Sequence, residues 1–401
     1  MEPEEVERVL AESKREAAGD TQPEDGIGFF PSEPDGAWVS ENFDELLIWA
    51  EESGASDVTF NSGQPVWCRV HGEWMPVTGR RIDRETVESL LNYTSMMPSA
   101  SGIVEGGKDL DYPYEKQVAR GVRKRFRCNA TAVNANAGIG LSVVMRTIPS
   151  LPPRVGDLGI EDEIMAAAEP DNGLVLVTGV MGSGKSTLLG AIIRDIRETQ
   201  RRHILTYEAP VEFNLTDIPG AKGPLTQTNI PTHLESFELA ARNAARRAAD
   251  VILVGESRDK ETLRSMIEQS EIGVCAYSTV HTRSVEETPT RILNVFPRED
   301  QAGIATTMIA SLRLIVQQRL VHKVGGGRIA LREYLAFDEA SRRRLMRVPV
   351  EEIIPAMREL VETKGRPLVR DAEAKFEAGE ISGDVYETIR REREMVEDGL
   401  A

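Results

Sequence analysis

Cysteine is scarce in this sequence. The 401 residues include only Cys68, Cys128 and Cys275, which lie far apart. Such spacing fits neither a zinc cluster nor a disulfide framework. Apolar residues lie within two positions of each of the three, so we expect all of them to be buried as small hydrophobic side chains.

Long apolar runs are missing as well. No stretch approaches the roughly 18 apolar residues that a membrane-spanning helix requires. The first ten residues, MEPEEVERVL, are acidic where a signal peptide would be basic and then apolar. We therefore expect a cytoplasmic protein without a transmembrane segment.

Positive charge is in the minority. Lys and Arg number 48 against 65 Asp and Glu, and the formal net charge is -17. This balance disfavours bulk attraction to DNA or to an anionic bilayer, so no direct nucleic-acid partner is expected. A local basic run, RKRFR at 123–127, is compatible with an exposed strand face or with a site that supplies cations in trans.

The strongest functional pattern lies at 173–190, which reads GLVLVTGVMGSGKSTLLG. A short apolar strand, the complete phosphate-binding loop pattern and an amphipathic helix follow one another there, as this loop requires. The residues predicted to bind nucleotide phosphates are Gly179, Gly182, Ser183, Gly184, Lys185, Ser186 and Thr187.

Each residue type in the loop has a chemical reason. Gly182 and Gly184 lack a Cβ that would keep backbone N–H groups away from the β-phosphate, and the following helix directs its partial positive charge at the same anion. Lys185 adds a cation for the β and γ phosphates, while the Ser186 hydroxyl is a hard oxygen ligand for Mg²⁺. ATP and Mg²⁺ are therefore the expected cofactors.

Composition divides the chain into five segments. Residues 1–36 carry 11 acidic and 3 basic residues and are predicted to form a disordered tail. The next four segments are predicted to be an N-terminal α+β domain at 37–146, a proline-rich hinge at 147–158, an ATPase core at 159–338 and a helical C-terminal segment at 339–401. The core alternates strands and helices, which indicates parallel strands with right-handed crossovers in a three-layer α/β domain.

Local patterns predict the elements of the N-terminal domain. A helix with one apolar face begins near Val39, and Ser40 or Asn42 is its expected N-cap. Short alternating strands and a second helix follow, and they suit a small antiparallel sheet. In the core, the strand and helix pattern weakens after Arg319.

Three further stretches lie at predicted strand ends of the core, where ligands bind in such folds: TYEAPVEF at 206–213, VILVGESRD at 251–259 and STVHT at 278–282. With the loop, they resemble the Asp box, Walker B and His box of the secretion ATPases, the family of PilT-type pilus retraction motors and type II and type IV secretion motors. The resemblance covers essentially 43–397. It implies a RecA-like P-loop NTPase core and a PAS-like N-terminal domain, whose matching motifs are GASDV 54–58, RVHG 69–72, RFRCN 125–129 and MRTIP 145–149.

Within this family the sequence most resembles the Dot/Icm type IVB secretion ATPase and its relative in IncI-type plasmid conjugation. The shared features are QTNIPTHL at 227–234, ALREYL at 330–335 and DAEAKFEAGEIS at 371–382. Two positions depart from the family pattern. Ala209 replaces the acidic residue of the Asp box, and Val274 replaces the first of two family histidines, so a role for a second histidine is excluded.

The candidate catalytic residues follow from these motifs. Glu256 ends an apolar strand, where a carboxylate can hold the Mg²⁺ shell or polarise the attacking water, or can simply be a surface acid. Glu208 could orient the water or make a structural hydrogen bond. His281 could sense the γ-phosphate or be a satisfied core polar group. The resemblance also implies that Arg127 and Arg146 reach phosphates, as an arginine finger does.

Three other arginines, Arg242, Arg246 and Arg258, match family positions too, but salt bridges between subunits explain them equally well.

We interpret the chain as a cytoplasmic, Mg²⁺-dependent ATPase that forms a homohexamer. Hydrolysis would drive domain motion about the hinge and power a type IVB-like secretion or conjugation machinery in the inner membrane. The alternatives are a pilus retraction motor, a nucleic-acid translocase and an ATP-binding scaffold without turnover.

Overall fold

A computed structural model of the chain describes residues 28–397, apart from 71, 120–121, 136–137, 149–150 and 258. The chain forms two compact units, Met1–Ser150 and Leu151–Ala401. The boundary between these units falls inside the segment for which a hinge is predicted. Most of the predicted acidic tail and two residues of the hinge lie outside the described residues.

In its described part, the first unit has one antiparallel sheet with strand order β3-β2-β1-β6-β5-β4. Its strands are β1 Ala55–Asn61, β2 Trp67–Val70, β3 Glu73–Pro76, β4 Leu110–Ala119, β5 Val122–Ala135 and β6 Gly138–Ile148. Its helices are α1 Ser40–Glu52, α2 Arg84–Ser95 and α3 Ala100–Glu105. The antiparallel sheet and the first two helices agree with the sequence prediction, whereas the short α3 was not predicted.

The first helix corrects one prediction. Its N-cap residue is Val39 and not Ser40 or Asn42. Asn42 lies inside the first turn, where its side-chain Oδ1 accepts a hydrogen bond of 3.1 Å from the Val39 N–H. The asparagine therefore satisfies a backbone donor from within the helix, a task that a sequence pattern does not distinguish from capping. The apolar face is as predicted, with Phe43, Leu46 and Leu47 buried.

The second unit contains a seven-stranded sheet of order β13-β12-β7-β11-β10-β8-β9. Its strands are β7 Gly173–Thr178, β8 Ile204–Glu208, β9 Leu225–Asn229, β10 Val251–Val254, β11 Cys275–Val280, β12 Leu312–His322 and β13 Arg328–Ala336. Neighbouring strands from β12 to β9 are parallel, and β13 pairs antiparallel with β12.

The helices of the second unit cover both faces of this sheet. Along β7, Leu174 and Leu176 face one apolar core while Val175 and Val177 face the other. This alternation is what a parallel strand buried on both faces requires, and it confirms the three-layer α/β prediction. The helices are α4 Asp162–Ala168, α5 Lys185–Thr199, α6 Phe237–Ala244, α7 Lys260–Glu271, α8 Thr288–Leu293, α9 Arg298–Ser311, α10 Glu339–Leu345, α11 Ile353–Lys364, α12 Leu368–Glu377 and α13 Gly383–Glu397.

Three strands of this sheet were missed by the sequence analysis. Strand β9 reads LTQTN and is half-buried, so it lacks an apolar signal. Strands β12 and β13 carry buried polar side chains, among them Gln318 and Arg332. Such residues interrupt an apolar pattern even though tertiary hydrogen bonds satisfy them.

All three cysteines are buried free thiols, as predicted. Burial raises the pKa of the Cys68 thiol to about 12 and that of Cys275 to about 11. Among the described residues, no helix is both long and apolar enough to cross a bilayer.

Candidate active site

The phosphate-binding loop connects β7 to α5, and its glycines are required by backbone geometry. Gly179 has a φ of 141° and Gly184, the N-cap of α5, has a φ of 83°. A Cβ on Gly179 would lie 2.6 Å from the Ser183 hydroxyl, and one on Gly184 would lie 2.8 Å from Gln318 Nε2. Both positions therefore exclude a side chain through conformation and through space.

Lys185 folds back into the loop. Its side chain is 8% exposed, and its Nζ donates hydrogen bonds of 2.9 Å to the carbonyl oxygens of Gly179 and Val180. Burial lowers the pKa of Lys185, while the negative charges of Glu256 and Glu212 oppose that shift. A desolvated ammonium group held by neutral carbonyls can exchange those partners for an anion at little expense.

The loop also contains an unused hydrogen-bonding group. The Ser183 hydroxyl is buried and has no hydrogen-bond partner among the described residues. Buried polar groups without partners are rare, and at a ligand site they point to the missing ligand. Together with Lys185 and the crowded glycines, this hydroxyl makes the loop fit the phosphates of a nucleotide.

Glu256 and His281 form a close pair. Each residue follows the carboxyl end of its strand, β10 or β11, and these two strands are parallel neighbours. Both side chains thus emerge at one edge of the sheet, where Nε2 of His281 lies 2.8 Å from Oε1 of Glu256. Both are partly exposed, so solvent or a ligand can reach them.

Glu208 is the last residue of β8, which pairs in parallel with β10. It is buried, and its Oε1 accepts hydrogen bonds of 2.6 Å from Thr206 Oγ1 and 3.2 Å from Gln227 Nε2. Burial raises the pKa of Glu208 above its ordinary value, and these hydrogen bonds partly counteract that rise. A Cβ on Gly255 would lie 3.3 Å from the Glu208 Cα, so the two strand ends are in close contact.

The two departures from the family pattern have distinct environments. Val274 is 8% exposed and belongs to the apolar core, where it has no means of binding a nucleotide. Ala209 is exposed next to Glu208. Because Ala209 carries no charge, the acidic side chain at the end of β8 is that of Glu208.

The predicted metal ligands are Ser186 and Glu256. Among the described residues there is no cluster of three or more His, Cys, Asp or Glu that could hold a metal by itself. This agrees with the chemistry of Mg²⁺ in nucleotide sites, where one or two protein oxygens suffice because phosphates and water complete the octahedron. The assignment of these two residues stays a prediction.

Arg127 and Arg146 lie in the first unit and face each other across strands β5 and β6. Both are exposed. The Nε of Arg146 lies 2.8 Å from Oδ1 of the buried Asp57, although the Arg146 side chain itself is 66% exposed. The other predicted site residues belong to the second unit. Arg258 lies outside the described residues, and Arg242 forms an ion pair with Glu238.

Sequence reasoning missed one residue that touches the loop. Gln318 on β12 donates a hydrogen bond of 2.7 Å from Nε2 to the carbonyl oxygen of Ser183. Gln227, which donates a hydrogen bond to Glu208, lies in the motif at 227–234 but had no predicted role. The usable signal for both would have been a side-chain amide on a strand next to a motif-bearing strand.

Comparison with known proteins identifies the family. A model described as type II/IV secretion system protein matches residues 48–381. The type IV pilus retraction ATPase PilT of Pseudomonas aeruginosa is 34% identical over 313 residues, which cover 78% of this chain and 88% of PilT.

Solved structures agree with this assignment. The crystal structure of the Legionella pneumophila ATPase DotB matches with a TM-score of 0.83 and 39% identity, covering 91% of this chain and 99% of DotB. The pilus retraction motor PilT, crystallised with bound ADP, matches with a TM-score of 0.75 and 29% identity over 86% of this chain and 96% of that one. The predicted family and fold class are thereby confirmed, and the chain belongs to the type II/IV secretion system protein family of secretion and pilus motor ATPases.

Proposed function

We propose that this chain is a Mg²⁺-dependent ATPase that works as a homohexamer and powers a type IVB-like secretion or plasmid conjugation system. The observation that carries the proposal is the cluster at the carboxyl edge of the parallel strands β7, β11 and β10, where the loop with the buried Lys185 follows β7 and Glu256 contacts His281. A cation for phosphate beside a carboxylate for water is the minimum that phosphoryl transfer needs. The similarity to DotB over nearly its whole length supports the choice of system.

Lys185 binds and neutralises the nucleotide. Its Nζ exchanges the carbonyl oxygens of Gly179 and Val180 for the β and γ phosphates of ATP. The surroundings that lower its pKa also strengthen its attraction to an anion, because weakly polar surroundings screen charge poorly. Backbone N–H groups of the loop, at the positive end of α5, bind the same phosphates.

Glu256 polarises the attacking water, and its hydrogen bond with His281 fixes the orientation of its carboxylate. When bound, Mg²⁺ supplies charge neutralisation on the phosphate oxygens, and Ser186 and Glu256 are the residues that would hold it. Glu208 has one carboxylate oxygen bound to Thr206 and Gln227, so we assign it to orienting the water and not to accepting its proton.

Arg127 and Arg146 supply positive charge to the phosphates from the first unit. Their support is their exposure and their positions directly opposite each other on β5 and β6, which place both side chains on the same face of the sheet. Guanidinium groups bind phosphate oxygens in a bidentate manner and stabilise charge that develops in the transition state. ATP would then close the hinge at 147–158 and order the ring.

Replacing Arg127 or Arg146 with alanine should reduce ATP turnover by about 100-fold, since charge stabilisation of this kind is worth two to three orders of magnitude. Arg127 is exposed, so Arg127→Ala should change the melting temperature little, whereas Arg146→Ala also removes the partner of the buried Asp57 and should lower it. The measurement is the ATPase rate beside a thermal melt. Arg123→Ala is the matched control, because this exposed residue lies on the same face of β5 and pairs with Glu115. Parallel loss of stability and activity in Arg127→Ala would favour a purely structural strand face.

Nucleotide should also control assembly. Light scattering of the purified chain should show a hexamer that is favoured by ATP with Mg²⁺, because the nucleotide holds the arginine-bearing unit in place. At a net charge of -17 we expect DNA neither to bind near physiological salt nor to stimulate turnover. A monomer in every nucleotide condition, with DNA-stimulated hydrolysis, would instead indicate a nucleic-acid translocase.

A pilus retraction motor is the second candidate, and the 34% identity with PilT favours it. Deleting the gene in its own organism and restoring it as wild type or as Lys185→Ala separates the two systems. A defect in plasmid or effector transfer with normal pilus retraction supports the proposal. A retraction defect with normal transfer contradicts it.

A further inference from the structure

A buried arginine on β13 connects the phosphate-binding loop to the start of the second unit. Arg332 is 2% exposed, yet its guanidinium group makes four hydrogen bonds. Nε donates to Gln318 Oε1 at 2.9 Å, and Nη1 donates to Glu161 Oε2 at 3.0 Å. Nη1 also donates to the carbonyl oxygen of Gly159 at 2.9 Å, and Nη2 donates to that of Leu158 at 3.1 Å.

Gln318 links this arginine to the loop. Its Oε1 accepts from Arg332, and its Nε2 donates to the Ser183 carbonyl oxygen at 2.7 Å. The Ser183 C=O and the Gly184 N–H belong to one planar trans peptide and so point in opposite directions. Whatever fixes the carbonyl therefore also fixes the direction of an N–H group at the phosphate side of the loop.

The other end of the chain of contacts is the segment 158–161. It begins with the last residue of the short 3₁₀ turn Val155–Leu158 and ends just before α4, only a few residues after the boundary between the two units. Two of its carbonyl oxygens and one carboxylate bind the same guanidinium group. A shift of Arg332 would therefore change the order of this whole segment.

We infer that Gln318 and Arg332 are positioning residues through which phosphate binding at the loop is coupled to the segment 158–161. This rests on the proposed function, since coupling of occupancy to domain motion is what a motor needs. When the Gly184 N–H turns towards a phosphate, the Ser183 carbonyl turns with it. Gln318 follows the carbonyl, and Arg332 transmits the shift to the segment.

Arginine is suited to this position and lysine is not. The guanidinium fork donates in several fixed directions at once, whereas an ammonium group is a point charge on a flexible stem. In Arg332→Lys the charge opposite Glu161 is kept, but one ammonium group cannot reach Gln318 and both carbonyl oxygens together. This variant therefore interrupts the coupling while it retains the buried ion pair.

The test is hydrogen–deuterium exchange of the full chain with and without ADP and Mg²⁺. In the wild type, nucleotide should slow exchange both in the loop and in the peptide covering 155–161. In Arg332→Lys the loop should still be protected, while the nucleotide-dependent change at 155–161 should disappear. The turnover number should fall between about 2-fold and 30-fold with little change in KM, the range found for coupling residues.

Gln318→Met gives an independent variant that cuts the connection at its other end and leaves Arg332 paired with Glu161. Arg197→Lys is the matched control, because this arginine is also buried, at 8% exposure. Among the described residues its guanidinium group donates to the carbonyl oxygens of Gly223 and Thr216, which belong to neither the loop nor the segment. It should keep the nucleotide-dependent change.

A structural role alone would raise exchange at 155–161 equally with and without nucleotide and leave their difference intact. That result in both variants would overturn the coupling, and so would a wild type that hydrolyses ATP without any nucleotide effect at 155–161. A wild type that binds ADP and shows the effect but never hydrolyses ATP would contradict the proposed function and support the coupling.

Discussion

Replacing Lys185 with alanine is expected to lower ATP turnover by at least about 100-fold, because the β and γ phosphates lose the side-chain cation of the loop. The backbone donors of the loop remain, but they cannot replace a full positive charge in a buried site. Steady-state phosphate release at saturating ATP measures the effect. Lys222→Ala is the control, since this lysine is exposed and its ammonium group donates to the backbone carbonyl oxygen of Thr199, away from the loop.

A thermal melt adds a second readout to the Lys185 experiment. Without nucleotide, removing a desolvated ammonium group should change stability little, because burial already disfavours its charged form. With nucleotide at 100 times its dissociation constant, the wild type gains about 2.7 kcal/mol, and the variant should gain much less at the same concentration. Turnover near the wild-type rate, or full stabilisation by nucleotide, would refute the assignment of the loop.

Replacing Glu256 with glutamine should separate binding from hydrolysis. The amide keeps the size of the side chain and can still bond to His281, but it cannot act as a base, so turnover should fall by about 100-fold or more. Nucleotide affinity should stay within a few-fold of the wild type. Because the γ-phosphate then persists, light scattering should detect the ATP-induced hexamer for longer than in the wild type.

The control for this experiment is Glu271→Gln, which removes an exposed carboxylate at the end of α7 and should change neither quantity. Measurement of ATP affinity by calorimetry beside the turnover rate decides the outcome. If affinity and turnover fell together in Glu256→Gln, the carboxylate would be a structural group and not the one that polarises water.

The sequence could predict those parts of the fold that depend on local pattern. The loop at 179–187 is contiguous, so its residue types and spacing identify it without any tertiary information. Glu256 and His281 could be placed at one sheet edge because both follow apolar strands of a parallel sheet. Their hydrogen bond could not be predicted, since it depends on the pairing of β10 with β11.

Residues that act through long-range polar contacts were out of reach. Gln318 and Arg332 are separated by 14 positions, while Arg332 and Glu161 are separated by 171. A buried arginine on a strand looks like a break in the apolar pattern until its partners are known. For the same reason β13 was missed, although it pairs with β12 through an ordinary antiparallel hydrogen-bond ladder.

The buried cysteines have a practical consequence for the study of ring motion. With the pKa of Cys68 raised to about 12 and that of Cys275 to about 11, these thiols are almost entirely protonated at neutral pH, and all three are enclosed. A cysteine introduced at an exposed position such as Ile272, which is 71% exposed, would therefore react with maleimide dyes far faster than the native thiols. The unaltered chain is thus a suitable background for site-specific fluorescent labelling.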